Sequence, residues 1–559
     1  MIKRKVLAAA AAVLMTVLAG CAGSRVANEQ QGGDTTGSGM IAQLTFPAEV
    51  DSSVGGLVNY NPYSPKPLTT TWLYEPLMFQ NSLDCKVEPW LATDYSWDGA
   101  TKLTFTIRKG VKFMDGSELT PQDVAFTFNL MKKYPAMDKA GVWNDTIGAP
   151  AKSVTAEGDQ VVFEFTGAAA SKFGTLAAQK ILPEKQYADV GDPSKYVDKE
   201  PNGTGPFKVG SYNGRRLELQ RRDDYWQADK IKVEKLILEG NYDANQAALK
   251  LRTGGLDYYT GELPNPQKTF VAEDPKTNHF WYAPNGITVV APNTTKKPFD
   301  DPKFREALGY GMDRESATEK ATYGIMHTAS QSGLTLPAKA NLLPAKYTVE
   351  STELPFDVDR ANQMLDDAGY TKGSDGKRRM KDGSKLDITF AVQAGWIDYE
   401  AMADEFVSNF RELGLDIKAS KSPPEAVDQL KKSGDFQVMI NYMGAGCDYA
   451  NGMGASLATR QFPTKTEIKG NVGRFSDPQV DDAVQALDGA VDQAQTKKYV
   501  GVLVDAMMTQ YPVLPILYAP ARSIYRTDKA VGWPNEEHPY CNPQDAVLVI
   551  MTHLTAPPG

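Results

Sequence analysis

Histidine is scarce in this 559-residue chain: only His279, His327, His538 and His553 occur, and no two share the spacing of metal ligands. No dedicated metal site is therefore expected, and no cofactor. Cysteine is equally scarce, with Cys21, Cys85, Cys447 and Cys541. No G-x-S-x-G, H-E-x-x-H or C-x-x-C stretch is present, so the usual nucleophile, zinc and redox signatures are missing. "GAGCDY" (Gly444–Tyr449) begins like a dinucleotide loop, but Tyr449 stands where the last glycine is needed. There is no basic excess. The net charge is -9, spread without long runs, which argues against a nucleic-acid partner. Beyond the first 20 residues no stretch is apolar enough to cross a membrane. What the chain does have is 42% hydrophobic and 10% aromatic residues, enough for sizeable cores, and a length that argues for more than one domain.

The one long apolar run lies at the start. Lys3, Arg4 and Lys5 precede Val6–Leu18, apolar apart from Thr16, and then the small Ala19 and Gly20. This is the build of a secretory signal peptide over residues 1–20. Leu18-Ala19-Gly20-Cys21 resembles the bacterial lipobox, which implies that Cys21 takes a diacylglycerol and becomes the new N-terminus. The alternative is an ordinary secreted protein with a chance cysteine. Residues 21–40 are polar and rich in Gly, Ser and Thr, and read as a flexible tether. A chain of that length would hold the body roughly 25 Å from the membrane. Of Cys85, Cys447 and Cys541, at most one pair can be bonded within the chain; which pair, or whether all three are isolated buried thiols, stays open.

After the tether, strand and helix signals alternate. "KLTFTIRKG" (Lys102–Gly110) alternates as a half-buried strand does. Phe207–Gln220 reads as a hairpin around Asn213-Gly214. "KVEKLILEG", "DANQAALKLRTGG" and "LDYY" read strand, helix, strand, with Gly254 as a helix stop. Asp301 and Pro302 open a helix, "DYEAMADEFVSNFRELG" is an amphipathic helix ending at Gly414, and helix-then-strand recurs in "PPEAVDQLKKSGDFQVMINYM". The class is α/β with mixed sheets.

Five segments then point together: "YEPLMFQN" (Tyr74–Asn81), Leu103–Met131, "NGTGPFKVGSYNGRRLELQRRDDYW" (Asn202–Trp226), "KKPFDDPKFREALGYGMDRE" (Lys296–Glu315) and "YPVLPILY" (Tyr511–Tyr518). In this order they resemble the extracytoplasmic solute-binding proteins of ABC importers, in the large oligopeptide/nickel-binding family, solute-binding family 5. Val111–Phe128 is the most specific stretch; its Asp115 and Asp123 read as turn and cap groups rather than catalysts. The resemblance implies a two-lobed periplasmic-binding-protein-like fold (type II, cluster C-like) with a third domain and a hinged cleft. It maps lobe I to 41–77, 201–292 and 512–559, the extra domain to 78–200 and lobe II to 293–511. It also implies permease subunits as partners, a monomer, and binding rather than catalysis.

Members of this family differ in ligand, and the histidine count disfavours nickel. "AGWIDYE" (Ala394–Glu400) and "VGWPNEEHPYCNP" (Val531–Pro543) resemble elements of the oligosaccharide-type members. Asp448-Tyr449 resembles the pair with which peptide-binding members hold an ammonium, but the usual preceding tryptophan is missing. The candidate ligand contacts are Trp396, Asp398, Tyr399, Tyr442, Asp448, Tyr449, Trp533 and Tyr540. Aromatic faces suit sugar rings or side chains, and carboxylates accept from hydroxyls or ammonium. For the aromatic residues core packing is the alternative, and for the two aspartates a cap or turn. The expected ligand is a short oligosaccharide, with an oligopeptide as the alternative and a lipid-anchored hydrolase as the competing class. If Cys447 and Cys541 face each other across the cleft, they are expected to stay unbonded.

Overall fold

The computed structural model describes residues 39–48, 58–64, 70–240 and 243–558. The signal peptide, Cys21 and nearly all of the tether lie outside the described residues.

Local chemistry sets the elements as read. Thr120 and Asp123 form a reciprocal capping box on the helix Pro121–Lys133, with Pro121 in its first turn. Asp115 accepts from Ser117 N in the preceding turn at 3.0 Å. Asp301 caps Pro302–Tyr310 by accepting from Lys303 N. Strands Phe207–Tyr212 and Arg216–Arg221 pair around Gly214, whose φ of +89° only glycine adopts freely.

Strands Leu44–Ala48, Lys235–Gly240, Arg216–Arg221 and Phe207–Tyr212 form one mixed sheet in that order. Ala92–Asp98, Lys102–Ile107, Gln160–Phe165 and Ala151–Glu157 form an antiparallel one. A short hairpin pairs Met78–Gln80 with Val87–Pro89. The six-stranded sheet runs Tyr258–Tyr259, Leu514–Arg526, Asn278–Pro292, Val438–Gly444, Asp387–Gln393, Asp416–Ser422.

That large sheet joins the two lobes. One hydrophobic core gathers residues from 41 to 238 with Tyr258 and 525 to 554, and a small one beside it runs from Ala247 to Phe270 with Ile524. Two further cores use residues 287 to 518 alone. Among the described residues the chain therefore passes from one set of cores to the other twice, along Asn278–Pro292 and Leu514–Arg526. These antiparallel crossing strands slip register at Asn285, between Pro284 and Gly286. Pro284 faces Pro520, so neither donates to the ladder there. A bulge and two missing donors interrupt the ladder where the lobes meet, and a second slip follows between Thr288 and Val289, so the sheet can bend at the crossing.

Candidate functional site

A cavity of ≈ 400 Å³ opens at this crossing, lined from lobe II by Trp396, Asp398, Tyr399 and Tyr323 and from the other side by Glu262, Leu263, Tyr282 and Arg522. Trp396 reaches it because the strand Asp387–Gln393 ends there. Gly395, at φ +88°, turns the chain, and Trp396 stands at the start of helix Ile397–Glu412. Glu400 accepts from Gly395 N at 2.8 Å and steadies the turn. Trp396 is 48% exposed and meets Tyr399 edge-on, with ring centroids 4.9 Å apart. Asp398 accepts from Tyr399 N at 2.9 Å, a first-turn contact. Burial, with Asp398 next to it, raises the Tyr399 phenol to about 12. Tyr282 and Arg522 are register partners on the two crossing strands, and the guanidinium lies 5.9 Å from the tyrosine ring centre. Aromatic faces, a guanidinium and carboxylates from both lobes thus converge where closure would bring them together.

Asp448 and Tyr449 lie elsewhere, beside a small cavity of ≈ 70 Å³ shared with Gln80, Ser171, Phe173 and Gly174. Asp448 accepts from Asn451 N at 3.1 Å and from Asn451 Nδ2 at 2.6 Å. Burial pushes its carboxyl up to about 6 against those bonds. Of the two sequence readings, the turn is the one its partners support. Tyr449 is 8% exposed, with Lys339 Nζ 5.3 Å from its ring centre. The Lys339 ammonium, held down at about 8 by burial, donates to the carbonyls of Ala445 and Gly446. Tyr442 is half exposed, covers Gly286 and donates to Asn285 O at 3.1 Å. Asn542 donates to Asn285 Oδ1 and to Ser82 Oγ, which extends this polar chain to the hairpin.

Trp533 does not join Trp396 across one cavity. It is 3% exposed, stacks on Tyr258 at 5.2 Å and on Tyr525 at 5.5 Å, and donates to Ala530 O. No face is left for a sugar ring, so packing is its role here. Tyr540 stacks on His553 at 4.1 Å and donates to Gly532 O. Both border a third cavity of ≈ 1230 Å³ that also gathers His279, His538 and His553. The fold thus brings together three histidines that no sequence spacing linked. Among the described residues no group of three His, Cys, Asp or Glu is placed to hold a metal ion.

The open question of the thiols has an answer. Cys85, in the hairpin turn, is bonded to Cys447, 362 residues away, and Cys541 is free and buried, its thiol raised by burial. Cys447 and Cys541 are not bonded to each other. Sequence reasoning missed Tyr282, Arg522, Glu262 and Lys339. Tyr282 and Arg522 meet only through strand register, and no local pattern marks them.

Two lobes joined by a pair of crossing strands, with a cavity at the crossing, define a solute-binding protein of the hinged type. The profile described as "Bacterial extracellular solute-binding proteins, family 5 Middle" matches residues 86–460, and the chain belongs to that family. It is 24% identical to the nickel-binding periplasmic protein of Escherichia coli K12, over 83% of this chain and 87% of that one. It is 25% identical to the oligopeptide-binding protein AppA of Bacillus subtilis 168, over 82% and 81%. The fold matches the crystal structure of a periplasmic oligopeptide-binding protein of an ABC transporter from Thermotoga maritima with TM-score 0.79 and 22% identity, covering 92% of this chain and 99% of that one. The mannohexaose-bound form of that protein matches with TM-score 0.68 at 22% identity, covering 92% and 98%.

Proposed function

We propose that the protein is the solute-binding component of an ABC importer, and that it captures a short oligosaccharide in the cavity at the crossing strands for delivery to the permease. The observation that carries this is the half-exposed Trp396, standing with Tyr399 over a cavity rimmed by Asp398, Glu262 and Arg522. An open aromatic platform among hydrogen-bonding groups suits a sugar ring. Asp448, which resembles the ammonium-holding aspartate of peptide-binding members, bonds within its own turn and lines the small cavity rather than the one at the crossing. The mannohexaose-bound neighbour adds support. An oligopeptide is the second reading, favoured by relatives named as oligopeptide- and di/tripeptide-binding proteins. The assigned lobes are 41–77 with 201–292 and 512–559, and 293–511, with 78–200 as the extra domain; the separate cores support the split of 293–511 from the rest, while 78–200 shares one core with the first lobe. The chain works as a monomer without a cofactor, anchored through Cys21 on the extracytoplasmic face, at the cell surface or in the periplasm.

Calorimetric titration with mannohexaose, short glucans and short peptides tests the ligand. Trp396→Ala is expected to weaken the oligosaccharide about tenfold, since each ~1.4 kcal/mol is a factor of ten. It should cost little stability. Trp533→Ala should instead lose ~3–5 kcal/mol of folding stability. If only peptides bind, and Trp396→Ala binds them normally, the oligosaccharide reading fails. For the anchor, Cys21→Ser should move the protein from the membrane to the soluble fraction; retention after a high-salt wash would refute lipidation.

A further inference from the structure

Lobe II is connected to lobe I by two crossing strands and, in addition, by one disulfide to the hairpin of residues 78–89, which belongs to the extra domain and shares the core of lobe I. Cys85 sits at the tip of the hairpin Met78–Pro89, where Asn81 N donates to Lys86 O and Cys85 N to Asn81 O. The hairpin is fixed to the first core through buried Leu77, Met78 and Trp90, with Phe79 edge-on to Trp90 at 4.8 Å. Cys447 belongs to the other side. It follows strand Val438–Gly444, and its neighbours Met443, Ala445, Tyr449 and Ala450 are part of a lobe II core. The loop is not slack, because Lys339 holds the carbonyls of Ala445 and Gly446. Both ends of the bond are therefore anchored in different cores, and their Cα atoms are 5.5 Å apart.

The position matters for movement. Gly444 pairs with Gly286 at the register slip, so Cys447 lies three residues beyond the crossing, at most ~10 Å of extended chain. The crossing strands are neighbours in the sheet and can share one hinge line. A third covalent tie beside that line limits how far the two sides can separate there. A second contact closes the same seam: Ala170 N donates to Asp488 O at 2.7 Å and Ser171 Oγ to Asp488 Oδ1 at 2.8 Å. Those hydrogen bonds can break and reform with each cycle, and the disulfide cannot. Both cysteines are half-buried, Cys85 between the exposed Asp84 and Lys86 and Cys447 beside the half-buried Gly446.

We propose that Cys85–Cys447 is a redox latch on the cleft. While it is intact, the rim carrying Asp448 and Tyr449 stays against the hairpin turn; a dithiol reductant releases that rim and lets the lobes open. In the exchange, one reductant thiolate attacks a latch sulfur, the Cys85–Cys447 bond breaks, and the departing thiolate takes a proton. The second reductant thiol then closes the reductant's own disulfide and frees the other cysteine. Two electrons and two protons pass to the protein in all. The inference rests on the closing-cleft reading above, but its test contains no ligand.

The test compares the protein, produced in an oxidising compartment, before and after dithiothreitol, with Cys85→Ser/Cys447→Ser and Cys541→Ser as variants. A non-reduced digest should contain the Cys85–Cys447 linked peptide. Reduction should speed hydrogen exchange about tenfold or more in peptides covering 79–89 and 443–452, and raise the radius of gyration. The double variant should match the reduced form without reductant, and Cys541→Ser should respond as the parent does. Absence of the linked peptide, or equal exchange and equal radius in both redox states, overturns the latch. Such a result would leave the oligosaccharide assignment standing, and a ligand titration that fails in the reduced protein would leave the latch standing.

Discussion

Asp448 shows how one residue's role depends on what surrounds it. Its pair with Tyr449 reads as an ammonium clamp, yet Asn451 takes both its oxygens. Burial raises the carboxyl from 3.8 to about 6. With the folded value above the unfolded one, the folded state binds more protons between those values. Stability therefore falls as pH rises through that window, by up to ~3 kcal/mol. Asp448→Asn cannot titrate. Its stability relative to the parent is expected to improve by up to that amount between pH 4 and pH 7, read from denaturant unfolding at each pH; using the difference cancels the other carboxylates. A gap that does not change with pH would show that burial does not hold the proton on Asp448. The same scale separates the two tryptophans. Their motifs look alike, but Trp396 begins a helix just past the end of a strand and is half exposed, and Trp533 lies against two tyrosines.

The elements that carry the family resemblance prove to be scaffold. Glu75 of "YEPLMFQN" is buried and accepts from Trp90 Nε1 at 2.6 Å and Tyr225 OH at 2.7 Å, so the "DDYW" stretch is its partner. Burial raises its carboxyl. Arg314 of "GYGMDRE" donates to Pro515 O at 2.7 Å and pins its helix to a crossing strand. Gly203 of "NGTGPF" leaves room for another chain segment: a Cβ there would come 1.9 Å from Leu73 O, and Gly205 N donates to that same carbonyl. Both neighbours are backbone and cannot step aside. Gly203→Ala is expected to cost at least ~1–3 kcal/mol, the range of overpacked cores, seen as a lower Tm. An unchanged Tm would mean that the segment can shift. Such motifs could be recognised in sequence because they are local and repeat the family's wording. Their meaning as contacts between segments could not.

For the whole molecule, the weakened ladder at Pro284, Asn285 and Pro520 predicts a closing motion. A saturating ligand should lower the radius of gyration in small-angle scattering and raise the unfolding free energy by about 2.7 kcal/mol at a hundredfold excess over Kd. Equal radii with and without ligand, in the reduced protein, would refute hinge closure. Reduction is specified because the disulfide itself holds one side of the seam.

Periodicity, caps and turn residues lie within a few positions of one another, so strands, helices and the α/β class follow from the order of residues alone. The amphipathic helix before Gly414 and the hairpin at Asn213-Gly214 stand where their patterns place them. Contacts between distant segments obey no such local rule. Cys85 finds Cys447 across 362 residues, Tyr282 meets Arg522 by strand register, and Trp533 is buried while Trp396 stays open. Each of these turns on how the lobes pack and where the crossing strands slip, and solvent exclusion by remote chain, rather than any neighbour in sequence, sets which side chains face the cavity.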